Sequence, residues 1–585
     1  METAITDSPS ERETDPDSTG ITTATATGPT RTGNRIDRLG ERARTLRPGW
    51  FGALAALLPA LVMAGRVHRS TRMQYQDYWT ALLRITNPDG SLHLRGLFSY
   101  QNEHPFFVPQ VVYYLDARFL DGTNNELGYF AVLMGLASLA VLWFLLPIRW
   151  NAPSRVGMIL AASAILFCPS GAWNFLKGMS GTAWITANVF GLLGILFARN
   201  RHTGLAVVTA ALTLLTYGTG FAAPLAIVVV ALLQRGRWWR WALPLGLFFG
   251  ACVVYALTAN GGSTGKGVGH DPGLLIQTFL TNLSTLWDPA GGSFGLVAGA
   301  AGLAVLGVSF ATYWPRRAEY ADLVAWWGVA AYATIAAGLI SLGRSEVFLG
   351  DGAQARYVSL SALFWIAVFV VGIRLVRSTR ELAVGIGVTL AAVAVFWGAS
   401  PQLYQATVNE TPVQNVMAAG VRFDATDPFI SRLQDPKPLI PRLQALGSYP
   451  FTKDYTLGCG LKPTDSIDLG KAQVLPASLF PDLAFIDQDR LIGTTHQIAG
   501  WIYWSGHRLQ CVIMVNSTGK IVGGGATRVV RTDVSSSKPT FPTDTGFGAV
   551  TPTSNSDAKL VLGFADGFYT LPNNALPQPA AAAAT

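Results

Sequence analysis

The sequence predicts a polytopic α-helical membrane protein of about eleven spans, N-terminus in and C-terminus out, ending in an extracytoplasmic β-sandwich-like domain. Three observations predict it: a charged-residue content of only 13%, a succession of apolar runs, and arginine clusters in every second loop. An ordinary soluble domain carries roughly 25% charged residues. With half of its 585 residues hydrophobic and a mean hydropathy of +0.33, this chain must turn much of its surface to lipid. The formal charge of +8 does not indicate a nucleic-acid partner, because the basic residues fall in short clusters between the apolar runs.

Residues 1–47 are expected to be a disordered, basic cytoplasmic segment. Thr, Ser, Asp and Glu with little to bury come first, and Arg31, Arg35, Arg38, Arg42, Arg44 and Arg47 follow. The transmembrane domain is expected over 48–399. Its first apolar run, 50–65, lies too far into the chain for a signal peptide and is followed by Arg66 and His68 rather than a small-residue cleavage site. It reads as a retained signal anchor. Later runs fall near 128–147, 156–168, 182–198, 204–217, 219–234, 241–258, 292–314, 322–342, 357–373 and 382–399.

Every even-numbered loop between these runs carries arginines: Arg149 and Arg155; Arg199 and Arg201; Arg235, Arg237 and Arg240; Arg316 and Arg317; Arg374, Arg377 and Arg380. The odd loops hold few basic residues apart from the long first one, 67–127, with Arg69, Arg72, Arg84, Arg95 and Arg118. The positive-inside rule then places the N-terminus in the cytoplasm of a plasma-membrane protein and everything after 400 outside. The same alternation makes the break Tyr217-Gly218-Thr219-Gly220 a turn between two helices rather than a kink in one.

Two odd loops are large: the first, 67–127, and a Gly-rich one near 259–291. Within the first, 105–119 is too polar to span and too apolar for open water, so it reads as a helix lying in the membrane interface. After 400 the composition turns Pro-, Thr- and Gly-rich with ordinary charge. A linker is expected over 400–479, a β domain over 480–575 and a disordered Ala-rich tail over 576–585. The run Gln510 to Val515, the turn Ser517-Thr518-Gly519 and Lys520-Ile521-Val522 read as a hairpin, with a further strand from Lys559 to Gly563. Trp501, Tyr503 and Trp504 read as core of that domain, with glycan binding as the alternative. Cys459 and Cys511 both lie in this exported region, where an oxidising compartment permits a disulfide, although sequence alone does not make them neighbours. Cys168 and Cys252 sit in or beside apolar runs and read as buried hydrophobes.

Chemistry-bearing residues collect on the outer side. The first outer loop holds Gln76-Asp77-Tyr78-Trp79 and Asn102-Glu103-His104-Pro105. A carboxylate at the membrane boundary among aromatics is partly desolvated, which raises its pKa and suits it to act as a general base. The plainer alternative is a helix-capping or arginine-paired Asp77 beside an interfacial belt of Tyr78 and Trp79. Other outer loops add Trp173, Asn174 and Lys177; His270 and Asp271; and Arg344, Glu346, Arg356 and Tyr357. Arg344, Arg356 and Lys177 are cations on a side where positive charge is scarce, as a phosphate clamp requires. Salt bridges of Arg344 with Glu346, or of Arg356 with Asp351, are the structural alternative. The sequence holds no Walker loop, dinucleotide fingerprint, Cys-x-x-Cys pair or nucleophile elbow, and His270 has no second histidine at ligand spacing. No cofactor is expected, and a divalent metal finds no support in the sequence.

In layout, residues 50–400 resemble the GT-C class of integral-membrane glycosyltransferases, particularly the arabinosyl- and mannosyltransferases of actinobacterial cell envelopes. The resemblance implies an inverting transferase with a polyprenyl-phosphate-linked sugar donor and a glycan, glycolipid or exported-protein acceptor, working at the outer face of the bilayer. It implies Asp77 as catalytic base, Arg356 with Arg344 at the donor phosphate, and Glu103 and His104 along a sugar site. Many members show two adjacent acids, whereas Gln76 precedes Asp77 here, which leaves Glu103 a rival base. The alternatives are a transporter or flippase of lipid-linked sugars, which needs polar groups near the bilayer midplane, and a non-catalytic scaffold of envelope assembly.

Overall fold

A computed structural model describes residues 54–147, 149–258, 270–287, 293–346, 354–374, part of 383–397, 402–426, 436–555 and 557–572. The segment 1–47, the tail 576–585, Asp351 and most of the last apolar run lie outside the described residues. Every apolar run up to 357–373 is helical. In chain order the helices are α1 (Leu54–His68), α2 (Gln76–Ile85), α3 (Phe107–Phe119), α4 (Asn124–Leu145), α5 (Ala152–Leu166), α6 (Ala172–Leu176), α7 (Gly178–Arg199) and α8 (Thr203–Leu214). They continue with α9 (Ala222–Leu233), α10 (Trp239–Thr258), α11 (Pro272–Ser284), α12 (Ser293–Tyr313), α13 (Val324–Arg344) and α14 (Val358–Arg374).

The chain is a multi-pass membrane protein, but the described helices do not reach eleven full spans. Six are long and apolar enough to cross a bilayer, or seven if the bent pair Ala152–Leu166 and Pro169–Leu176 counts as one crossing. Length is the reason. The 12-residue helices α8 and α9 rise only about 18 Å, against a hydrocarbon core of about 30 Å.

Burial separates the middle of the bundle from its lipid face. In α7, 78% of the most apolar window is buried, against 6% in α10. Helix α10 exposes Leu243, Phe249, Val253 and Leu257, which only lipid makes tolerable. Asn124 ties the α6–α7 break to α4: its Nδ2 donates to the Leu176 carbonyl at 2.7 Å and its Oδ1 accepts from the Gly178 amide at 2.8 Å. A side chain at Gly178 would collide with the backbone of Leu127 and Gly128.

The arginine-bearing loops meet at one end of the bundle. Arg149 reaches the Glu319 carbonyl, Arg199 the Phe144 carbonyl, and Gln234 the Arg199 carbonyl. Arg374 pairs with Asp322 at 3.1 Å.

Helix α15 (Gln402–Arg422) replaces the front of the expected irregular linker and packs on the C-terminal sheet, its Val416 reaching Gly548. The strands are β1 (Gln473–Val474), β2 (Ala484–Ile492), β3 (Thr495–Ile502), β4 (Cys511–Val515), β5 (Ile521–Val529), β6 (Gly546–Pro552), β7 (Lys559–Phe564) and β8 (Gly567–Thr570). They form one sheet in the order β1-β8-β7-β4-β5-β6-β3-β2, antiparallel except for β1 with β8. The expected hairpin is β4–β5, and Lys559 begins β7. The two-sheet sandwich is corrected to this single sheet. Each face of β4 has its own apolar cover: Val512 and Met514 pack with Leu475, Leu479 and Tyr569, while Ile513 and Val515 join the main core. A strand covered on both faces reads as an unbroken apolar run, as Cys511–Val515 does.

Candidate functional site

Helix α2 forms because Tyr78, Ala81, Leu82 and Ile85 recur on one face, all buried. That stripe leaves Asp77 in the first turn, beside the positive end of the helix. Asp77 faces a cavity of about 220 Å³. The lining brings together Asp77, His104, Lys177, Arg344 and Arg356 from three separate outer loops, with Trp173, Trp184 and Tyr217 among the aromatic walls. This end of the bundle is opposite the one where the arginine loops meet.

Burial raises the Asp77 carboxyl above the ordinary carboxylate range, partly countered by the charge of Arg356, a hydrogen bond from Gln101 and the charge of Arg84. Gln101 Nε2 lies 3.5 Å from Asp77 Oδ1, and its Oε1 accepts from Arg84 at 3.2 Å. Arg356 has no carboxylate at ion-pair distance among the described residues. Its backbone carbonyl accepts from Asn174 Nδ2 at 3.0 Å, and Asn174 Oδ1 accepts from Ser180 at 2.9 Å. Asn174 therefore fixes the loop that carries Arg356.

Lys177 lies over Trp173, its Nζ 3.3 Å from the ring centre, and pairs with Glu410 of α15 at 3.2 Å. Burial lowers its pKa, opposed by Glu410. Arg344 pairs with Glu103, not with Glu346. Glu103 also lies 3.4 Å from His104 Nε2. His104 packs against Tyr217 with tilted rings and centres 4.2 Å apart, and Tyr217 against Trp184 in the same way at 4.4 Å. Burial, then the charge of Arg356, pushes the His104 imidazole down to about 4. Gly218 is required here, because any side chain would run into the His104 ring.

Other candidates sit elsewhere. Tyr78 is buried behind α2 with its hydroxyl 3.2 Å from Asp116, and Trp79 is buried in the same core, so neither forms an exposed interfacial belt. Tyr357 is buried beside Arg356 and packs on Trp184 at 5.2 Å. His270 is exposed outside the cavity, its backbone amide donating to Glu346. Glu103 stands behind the lining, held by Arg344. The Cys459 and Cys511 sulfurs are bonded, with Cα atoms 5.6 Å apart.

Sequence reasoning missed Tyr75, Gln101, Trp184 and Glu410. The first two lie within the loop it singled out, but nothing in the sequence joins Glu410 to Lys177. Among the described residues no three His, Cys, Asp or Glu side chains converge as a metal site. No protein-family model and no curated protein matches this sequence.

Proposed function

We propose that the protein is an inverting glycosyltransferase of the plasma membrane, with its N-terminus in the cytoplasm and the Asp77 cavity and β domain outside. The short helices α1, α8 and α9 and the last apolar run complete an eleven-span topology in this reading. The donor is a polyprenyl-phosphate-linked sugar and the acceptor a cell-envelope glycan, glycolipid or exported protein. One observation carries the reading: a single cavity at one end of the bundle sets a carboxyl of raised pKa against three cations. A transfer from a lipid phosphate needs that pairing. The acceptor hydroxyl attacks the anomeric carbon and gives its proton to Asp77, while the carbon–oxygen bond to phosphate breaks. The charge left on the departing phosphate falls to Arg356, with Lys177 and Arg344 nearby. Trp173, Trp184 and Tyr217 give the cavity an apolar wall beside which the sugar and the first isoprene units lie.

A carrier of the same lipids would place polar groups inside the spans. Among the described residues, α7 and α13 share the neutral pair Tyr332–Asn188 at 3.2 Å, whereas the charged groups of the cavity gather at the end of the bundle, which favours the transferase. The test is release of polyprenyl phosphate, coupled to product formation, from a panel of labelled donors in membranes. Wild type should turn over at least one donor, and Arg356→Gln should raise the donor KM. Movement of intact donor across the bilayer without cleavage would reject the reading.

A further inference from the structure

We propose that a second, larger cleft, between the segment after α1, helix α15 and the β domain, binds an acidic oligosaccharide. This inference stands independently of the transferase reading. The cleft encloses about 740 Å³, within the range of ligand sites. Three guanidiniums line it, Arg69, Arg72 and Arg528, against one carboxylate, Asp544. Arg72 is paired with Asp454 at 2.8 Å, and Asp544 lies 3.8 Å from Arg508. Arg69 and Arg528 have no carboxylate at ion-pair distance among the described residues, so the cleft carries uncompensated positive charge. The Thr411 hydroxyl, buried in its wall, has no hydrogen-bond partner among the described residues.

Arg528 shows that the backbone is shaped around this charge. It holds a left-handed φ of 64° at a register shift between β5 and β6. A side chain rarely adopts that conformation, and such strain collects where a bulge re-aims a functional side chain. The same residue, with Asp544, also lines a neighbouring hollow of about 430 Å³ that contains Tyr503 and Trp504. Trp504 is stacked on His507 at 3.8 Å, and both aromatics are only half-buried. Tyr503 stacks on Phe541 at 4.3 Å and Trp504 packs on the core of the β domain, so part of each ring remains at the hollow.

Two hollows joined at a shared arginine suit an elongated ligand rather than one headgroup. Amides such as Asn415 and Gln510 match sugar hydroxyls, and the arginines match carboxylates or phosphates along the chain.

The experiment is equilibrium binding of a fluorescent galacturonate oligomer, and of its neutral galactose counterpart, to full-length protein in zwitterionic nanodiscs. Wild type should bind the acidic oligomer in preference to the neutral one. Arg528→Ala and Arg69→Ala should each weaken that binding about tenfold, with the thermal unfolding profile unchanged. Thr411→Val, which removes no charge, should weaken both oligomers alike. Equal binding of the two oligomers by wild type, unchanged affinity in both arginine variants, or no binding at millimolar oligomer would overturn the proposal. So would binding of anionic-lipid nanodiscs alone, which would make the cleft a lipid-headgroup site.

Discussion

Removing the Cys459–Cys511 bond should loosen the β domain by an amount that follows from chain length. The bond closes a loop with a sequence separation of 52, and the entropy of closing such a loop in the unfolded chain is worth about 4 kcal/mol. The bond also pins the turn before β1 to the middle of the sheet, where β7 packs on it: a methyl at Gly563 would overlap both sulfurs. The double variant Cys459→Ser/Cys511→Ser avoids leaving a lone reactive thiol. Four kcal/mol is roughly a thousandfold in the population of the opened domain. Where protease cleavage samples that opening, the cleavage rate within 459–570 rises by up to the same factor. The assay is limited proteolysis of full-length protein in detergent, with cut sites read by mass spectrometry. Reductant should accelerate wild type toward the variant and leave the variant unchanged. Cleavage rates equal within about threefold would show that packing against α15 and the membrane body, not the crosslink, holds the domain, and would refute the loop-entropy reasoning.

Three further outcomes are expected. His104, held neutral down to about pH 4 against an ordinary 6.5, binds fewer protons folded than unfolded between those values. The stability it contributes is complete above pH 6.5 and is lost as the pH falls toward 4; melting across that window should fall in wild type and flatten in His104→Asn. Asn174→Ala removes the hydrogen bond that fixes the Arg356 carbonyl and should raise the donor KM about tenfold with a smaller change in kcat; an unchanged KM would show that Arg356 is positioned otherwise. Glu103→Gln deprives Arg344 of its carboxylate and should cost about 1–3 kcal/mol of stability while leaving transfer largely intact. Transfer that vanished in a variant of normal melting behaviour would make Glu103 the base.

The sequence carried much of this arrangement because membrane physics writes itself locally. Low charge and apolar runs predict the helices, and arginine alternation predicts which loops meet: Arg149, Arg199 and Arg374 all make contacts at one end of the bundle. Asp77, Lys177, Arg344 and Arg356 stood out as charges among aromatics, and they line one cavity. What the sequence hid depends on distant packing. Glu410 lies in a stretch read as an irregular linker, and nothing local reveals that α15 lays it against Lys177. Tyr78 and Trp79 looked interfacial from composition, but the α2 stripe turns them into the core. Alternation located the strands, yet period-two patterning does not say which strands share a sheet. Nor does hydropathy fix helix length, so α8 and α9 read as full-length spans in sequence and are helices of 12 residues in the structure.

The proposed sugar transfer depends on Asp77 as its base. The most direct measurement is transfer from labelled polyprenyl-phosphate sugars in membranes holding matched levels of wild type and Asp77→Asn, followed across pH. Wild-type transfer should rise with an acid limb above the ordinary carboxylate range, since burial raises the Asp77 carboxyl and only its ionised form accepts the proton. The variant should lose about a hundredfold or more of the rate with donor binding retained. Equal rates in the two proteins, or an acid limb that survives in Asp77→Asn, would contradict the claim.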